Sequence, residues 1–166
     1  MDERASTEGT VSTVFIATGS EEPPESVPKA EAVPRRGLRG DRYFADAGTC
    51  TSWNEDEERP PGYDLTLIET EAVEAIERES GIRLEPGEHR RNVETTGVAL
   101  NHLVGKRFRV GDAVCRGDRL CEPCDHLERL TEDGVHEALL HRGGLRADIV
   151  EGGTIRPGDV VRPIDD

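Results

Sequence analysis

Short apolar runs broken by glycine-aspartate pairs constrain this 166-residue chain more than any other feature. Val11 to Ala17, Ala30 to Val33, Leu65 to Ile68, Arg91 to Thr95, Arg107 to Val110, Asp112 to Arg116, Leu145 to Val150 and Val160 to Arg162 all have strand character. Gly111-Asp112, Gly117-Asp118 and Gly158-Asp159 read as turns between several of them. Many short strands with frequent glycine turns favour a barrel or sandwich over an alternating βαβ sheet. The best helix runs from Glu69 to Ser80. Ile68, Ala72, Ala75 and Ile76 share one face there, and Gly81 is a natural stop. Shorter helices are expected at Cys124 to Thr131 and at Val135 to His141. Ser20 to Pro28, rich in proline and glutamate, reads as a loop, and residues 45–62 as a long functional or mobile one. There is no GxGxxG or P-loop motif, which argues against classical nucleotide binding.

The apolar fraction is only 34%, equal to the charged fraction, and the formal net charge is −14. Such values approach those of disordered chains. The ordered apolar runs, for example Val14-Phe15-Ile16-Ala17, instead predict a folded domain with a heavily solvated acidic surface. The length suits one domain with one core, here residues 11–163 after a flexible stretch over 1–10. Phosphates would be repelled over most of such a surface, which argues against nucleic acid as a partner. The longest apolar stretch, near Val11 to Ala17, is far short of the roughly 20 residues of a spanning helix. The start, Met1-Asp2-Glu3-Arg4, is acidic and no long apolar region follows it. The expectation is a cytoplasmic chain with no membrane partner and reduced cysteines. There are 19 arginines but only two lysines, Lys29 and Lys106. A salt-rich cytoplasm favours an acidic, lysine-poor surface, because salt screens self-repulsion. A GC-rich genome produces the same preference for arginine.

The densest chemical signal is Cys115-Arg116-Gly117-Asp118-Arg119-Leu120-Cys121-Glu122-Pro123-Cys124-Asp125-His126. Three readings of it stand open. Cys121 and Cys124 form a CxxC, half of a tetrahedral zinc site that Cys50, Cys115, His126 or His141 would complete. The same pair matches a dithiol-disulfide couple. Alternatively Cys124 acts alone, as nucleophile, persulfide carrier or soft-metal ligand. Pro123 favours a turn that presents Cys124 at a helix N-terminus, where the helix dipole lowers a thiol's pKa. The plain alternative for any one cysteine is a buried structural role.

Arginine clusters give the second signal. Arg39, Asp41 and Arg42 lie in a glycine-rich turn, and Arg90-Arg91-Asn92 opens a strand. Guanidinium forks bind phosphate or carboxylate bidentately. Surface ion pairing with the abundant carboxylates is the simpler role for any single arginine.

In order along the chain, these segments resemble the MOSC family, the domain named after the C-terminal part of molybdenum cofactor sulfurases. Gly37-Leu38-Arg39-Gly40-Asp41-Arg42-Tyr43 is similar to its GxxGDRY segment, and Leu65-Thr66-Leu67-Ile68-Glu69 to its TLI strand-to-helix junction. Arg90-Arg91-Asn92-Val93-Glu94-Thr95-Thr96-Gly97-Val98 is similar to its RRN strand. Gly105 to Gly111, Leu120-Cys121-Glu122-Pro123-Cys124, Gly143 to Ala147 and Gly158 to Val161 follow, and Pro123-Cys124 is the most diagnostic element.

The resemblance implies a mainly β fold, a MOSC-type β-barrel with a few short covering helices. It implies that Cys124 handles sulfur or a molybdenum-pterin cofactor, either as a persulfide carrier or as the molybdenum ligand in a reductase of N-hydroxylated compounds. Arg42, Arg90 and Arg91, with Asn92 beside them, are then the residues for the cofactor's phosphate. A sulfur donor or an electron-donor protein is implied as partner. Pyridoxal phosphate is attached to the family through sulfurases whose separate aminotransferase-like domain carries it. Neither Lys29 nor Lys106 lies in a Schiff-base context. The competing reading is a non-catalytic binding module whose cysteines hold zinc or simply pack.

Overall fold

The computed structural model describes residues 8–19, 21–42, 44, 61–123 and 125–164, and the side chains of Asp125 and His126 are not described. The strands are β1 (Gly9–Ile16), β2 (Glu25–Val27), β3 (Ala30–Val33), β4 (Gly37–Leu38), β5 (Leu65–Glu69), β6 (Val93–Thr96), β7 (Arg107–Val110), β8 (Ala113–Leu120), β9 (Leu145–Glu151), β10 (Gly153–Ile155) and β11 (Val160–Pro163). Among the described residues the helices are α1 (Thr70–Ser80), α2 (Asp125–Leu130) and α3 (Val135–Ala138), with a 3-10 turn at Leu100–Leu103.

Seven strands run in the order β11-β7-β8-β9-β5-β6-β1, and pairing of β1 with β11 closes them into a barrel. Closure removes the exposed edges that would otherwise template aggregation. The C-terminal half of β1 pairs with β2, outside the barrel. Strands β10, β3 and β4 form a second small sheet that adds Ala32, Leu38 and Ile155 to the barrel core. The expected mainly β barrel is therefore the observed fold.

Period-two burial explains the core. In β9, Leu145, Ala147 and Ile149 are buried while Arg146, Asp148 and Val150 are only partly so. Strand β5 departs from alternation: Leu65, Thr66, Leu67 and Ile68 are all buried. Its inner residues join the barrel core, and Ile68 packs outward with Ile76 of α1, Ile82, Leu127, Val135 and Leu139. A strand covered on both faces reads as a continuous apolar run. Helix α1 ends as expected, with Gly81 at φ 70° and its N–H donating to the Glu77 carbonyl.

Three expectations need adjustment. Gly117-Asp118 is not a turn; it is an irregularity inside β8, where the register against β9 shifts between Gly117 and Arg119. A side chain at Gly117 would collide with the Leu103 carbonyl, so glycine serves close approach there. Strand β2 lies inside the stretch read as a loop, because its flanking prolines masked a three-residue edge strand. Strand β1 already begins at Gly9, where it meets Val161, so order starts before residue 11. The long loop read over residues 45–62 lies, up to residue 60, outside the described residues. No described helix is long and apolar enough to cross a membrane.

Strands β5 and β6 are parallel and joined through α1, so no tight turn sets their register. Asn92, just before β6, supplies the tie. Its Oδ1 accepts from the Thr66 N–H and hydroxyl, each at 3.1 Å, and its Nδ2 donates to the Phe15 carbonyl of β1 at 3.3 Å. Replacing Asn92 by alanine strands these buried groups, at about 1–3 kcal/mol each. Urea denaturation of Asn92→Ala should show a loss of about 3 kcal/mol or more, with unchanged secondary structure by circular dichroism.

Candidate functional site

Four separated segments meet around residues 89–92. After β4, the Asp41 carboxylate accepts the Ala17 N–H at 2.9 Å, and the Arg42 N–H donates to the Ala17 carbonyl at 2.7 Å. The Arg42 guanidinium, 5% exposed as a residue, bonds Asp41 at 3.2 Å and reaches the Arg90 carbonyl at 3.1 Å. The glycine-rich turn is thereby fastened both to the end of β1 and to the Arg90-Arg91-Asn92 run. Tyr43, the last residue of that motif, lies outside the described residues.

Arg90 is held at φ 64°, in the left-handed region that non-glycine residues seldom occupy. This sends its side chain and that of Arg91 to different partners. Arg90 donates to the Glu22 carbonyl at 2.7 Å and the Gly19 carbonyl at 3.1 Å. It also lines a small cleft of about 160 Å³ with Glu21, Glu88 and Leu130. Arg91 donates from Nε to Gly143 O at 2.8 Å, from Nη1 to His89 O at 3.1 Å and from Nη2 to Cys121 O at 3.0 Å. The Cys121 N–H in turn donates to the Gly144 carbonyl at 2.8 Å. The four residues expected at a cofactor's phosphate are thus brought together, buried, and joined to the Cys121 segment.

Cys124 lies outside the described residues, and so does Cys50. The two described cysteines are free and buried. Cys115 faces the barrel core and stands opposite Phe108 of β7. Burial, reinforced by the negative charges of Asp64 and Asp148, pushes its thiol well above the ordinary range. It therefore stays a protonated core residue. His141, the other described candidate to complete a zinc set, is 81% exposed and pairs with Glu122 at 3.1 Å. Among the described residues no three of histidine, cysteine, aspartate and glutamate stand together as metal ligands. Lys29 and Lys106 are both exposed. A larger cleft of about 720 Å³, lined by Glu79, Ile82, Glu137 and His141 among others, meets the Cys121-Glu122-Pro123 segment through the His141–Glu122 pair.

His89 carried no recognisable signal in the sequence, yet it is 1% exposed at the centre of this cluster. Its ring meets Phe15 edge-on with centroids 5.4 Å apart. Its Nδ1 accepts the Arg91 N–H at 2.9 Å, which requires a free lone pair there. The proton of the neutral ring therefore sits on Nε2, 3.6 Å from Glu94 Oε2 and without a hydrogen-bond partner among the described residues. Burial pushes His89 below the ordinary histidine range, and the imidazole beside Glu94 holds that carboxyl below its own.

A family model described as the MOSC domain matches residues 56–162. Solved structures share the fold at low identity. The YUAD protein from Bacillus subtilis superposes with a TM-score of 0.74 at 18% identity, covering 93% of this chain and 94% of that one. YiiM from Geobacillus stearothermophilus gives 0.67 at 12% identity, with 95% and 75% covered. YiiM from Escherichia coli gives 0.65 at 14% identity, with 95% and 70% covered. No curated protein matches this sequence.

The neutral, buried His89 makes stability pH-dependent in a defined direction. With its folded-state pKa lowered, only the unfolded chain binds this proton just below the ordinary value of about 6.5. Stability therefore falls as pH drops through that value, the slope from this residue steepening toward a limit of about 1.4 kcal/mol per pH unit. Urea melts between pH 6.5 and 5.5 should show a loss of up to about 1 kcal/mol from this source, and His89→Gln should remove it. An equal loss in both proteins would rule out a buried neutral His89 as the cause.

Proposed function

The chain belongs to the MOSC domain family, and from that premise we propose that it handles sulfur or a molybdenum-pterin cofactor through Cys124. The observation that carries this reading is the convergence on the segment preceding Cys124. Arg91 and Gly144 hold Cys121 by its carbonyl and its N–H, while Arg42 and Arg90 join the same cluster. A buried cation, Arg91, is thus fastened to the segment that leads to Pro123.

Two routes follow from the chemistry. In the first, Cys124 takes a sulfane sulfur from a donor protein as a persulfide and passes it to an acceptor nucleophile. In the second, the Cys124 thiolate is the protein ligand of molybdenum, and an electron-donor protein supplies the electrons for reduction of N-hydroxylated compounds. The residues fit such a cofactor in charge. Arg91 is 8% exposed and contacts carbonyl oxygens, with no carboxylate paired to it among the described residues. Two of its five N–H groups remain for an anion. Arg91 would hold the phosphate, with Arg42 and Arg90 adding positive charge from the same buried cluster, and Asn92 would fix the turn that presents it. Bound there, the metal centre would supply the redox chemistry. The acidic, lysine-poor composition supports a salt-rich cytoplasm as the setting.

Elemental analysis with cofactor extraction tests the proposal, on protein from a host that makes molybdenum cofactor, purified in high salt. Molybdenum near one per chain, lost in Cys124→Ser with the fold intact, supports the second route. A labile sulfur on Cys124 without molybdenum supports the first. Full function in Cys124→Ser rules out both. Stoichiometric zinc whose loss on mutating Cys121 or Cys124 unfolds the chain would make it a binding module instead.

A further inference from the structure

We propose that the outer face of β7, β8 and β11 is a docking surface for an acidic protein that presents grouped carboxylates to it. The inference goes beyond the chemistry assigned to Cys124 and does not depend on it.

Three observations carry it. The first is the strand register. Strand β11 sets Arg162 opposite Arg109 of β7, and β7 sets Arg107 opposite Arg116 of β8. Phe108, Val110, Cys115 and Val161 point into the core, so the arginines that alternate with them share the outer face. Directly opposed side chains of an antiparallel pair stand about 5 Å apart at Cβ, and like charges there are destabilising. Two such pairs meet on β7, in a chain whose 35 acidic side chains outnumber its 21 lysines and arginines.

The second is the lack of compensation. The guanidinium groups of Arg109, Arg116 and Arg162 make no hydrogen bond or ion pair among the described residues. Asp148 of β9 lies opposite Arg116, but its carboxylate accepts the Gly62 N–H at 2.7 Å. Asp112, in the turn between β7 and β8, lies 3.7 Å from Arg156. A third opposed pair shows how the fold relieves such contacts elsewhere. Arg119 and Arg146 both stand over the Tyr63 ring, and Arg119 also pairs with Asp118.

The third is exposed apolar surface at the same place. Val160 precedes Arg162 by two residues on the outward side of β11 and is 40% exposed. Val104, bridged to Gly117 beside Arg116, is equally exposed. Arginine enriched next to apolar groups, with lysine scarce, is the composition of a protein interface.

Charge and symmetry select the partner. A second copy docked face to face about a two-fold axis would set arginine against arginine. A nucleic acid would meet the acidic exterior on either side of a patch only three strands, about 10 Å, wide. A folded protein with carboxylates grouped on one face matches the patch in size and sign, and each guanidinium fork takes a carboxylate bidentately.

The test is fluorescence anisotropy of a labelled decaglutamate peptide titrated with the full-length chain in low salt. Wild type should bind it saturably despite its net charge of −14. The double variant Arg109→Gln, Arg162→Gln should bind about tenfold more weakly or worse, whereas Arg83→Gln, an exposed arginine outside this face, should bind as wild type does. The urea midpoint of the double variant should equal or exceed that of wild type, because the substitutions remove a repulsive pair; arginines with a merely structural role would lower it. If the double variant does not fold, Arg116→Gln decides by the same two readouts. No binding by wild type, binding that survives the substitutions, or a lowered midpoint overturns the proposal. Tighter binding of a labelled DNA duplex of equal charge overturns it in favour of nucleic acid. A dimer of the chain alone in sedimentation velocity, lost in the double variant, overturns it in favour of a second copy.

Discussion

Where the parallel strands β5 and β6 meet, Thr66 and Asn92 exchange hydrogen bonds through backbone and side chain together, and the rest of the site depends on this tie. The Asn92 N–H donates to the Thr66 carbonyl and hydroxyl, each at 3.0 Å, while its amide oxygen takes the Thr66 N–H. On the other side the Phe15 N–H donates to the Asn92 carbonyl at 2.6 Å. A helix separates β5 from β6 in sequence, so no hairpin geometry specifies how they align. A slip of one residue would expose Val93 and Thr95, both fully buried, and turn Glu94 inward. It would also carry Arg91 away from the Cys121 carbonyl. The register of the barrel and the shape of the candidate site are therefore one constraint.

The choice of arginine at these positions follows from burial. A buried lysine sheds its proton when desolvation outweighs its contacts, whereas a guanidinium keeps its charge. Arg42, Arg90 and Arg91 are each less than a tenth exposed. Arg91 bonds three backbone carbonyls, which cancel less of its charge than carboxylates would. Part of the chain's bias toward arginine thus has a local, structural cause.

The barrel was legible in the sequence because its strands obey period two or, like β5, form solid apolar runs. The elements missed were those whose formation is decided elsewhere. Strand β10 holds only Gly153, Thr154 and Ile155 and exists because Ala30 to Ala32 lie beside it. Arg42, Arg90, Arg91 and Asn92, singled out in the sequence, are buried near one another in the fold. Their partners were not legible, since a carbonyl is the same at every position and only the fold decides which one faces a guanidinium. Cys115 offered a signal that went unused. Ala113, Cys115 and Gly117 fall two apart in one strand and are all buried, which marks Cys115 as core rather than as a metal ligand. His89 offered none, because its burial arises from the fold of residues 86–91 against Phe15.

Among the described residues the buried charges are three arginines, Arg42, Arg90 and Arg91, and two aspartates, Asp41 and Asp64, so the interior carries a small excess of positive charge under a strongly acidic exterior. Carboxylates distributed over the exterior repel an approaching anion at long range, while the buried cations attract it only at contact. Salt reduces the first effect strongly and the second little, because screening acts over a Debye length of about 10 Å at 0.1 M and scarcely at all between buried groups. An anionic ligand for this cluster would therefore associate faster as salt rises, the reverse of the behaviour at a basic, exposed phosphate site. That inversion follows from a cluster in which buried arginines outnumber buried carboxylates beneath an acidic exterior, and it ties the composition of the chain to the physics of its candidate site.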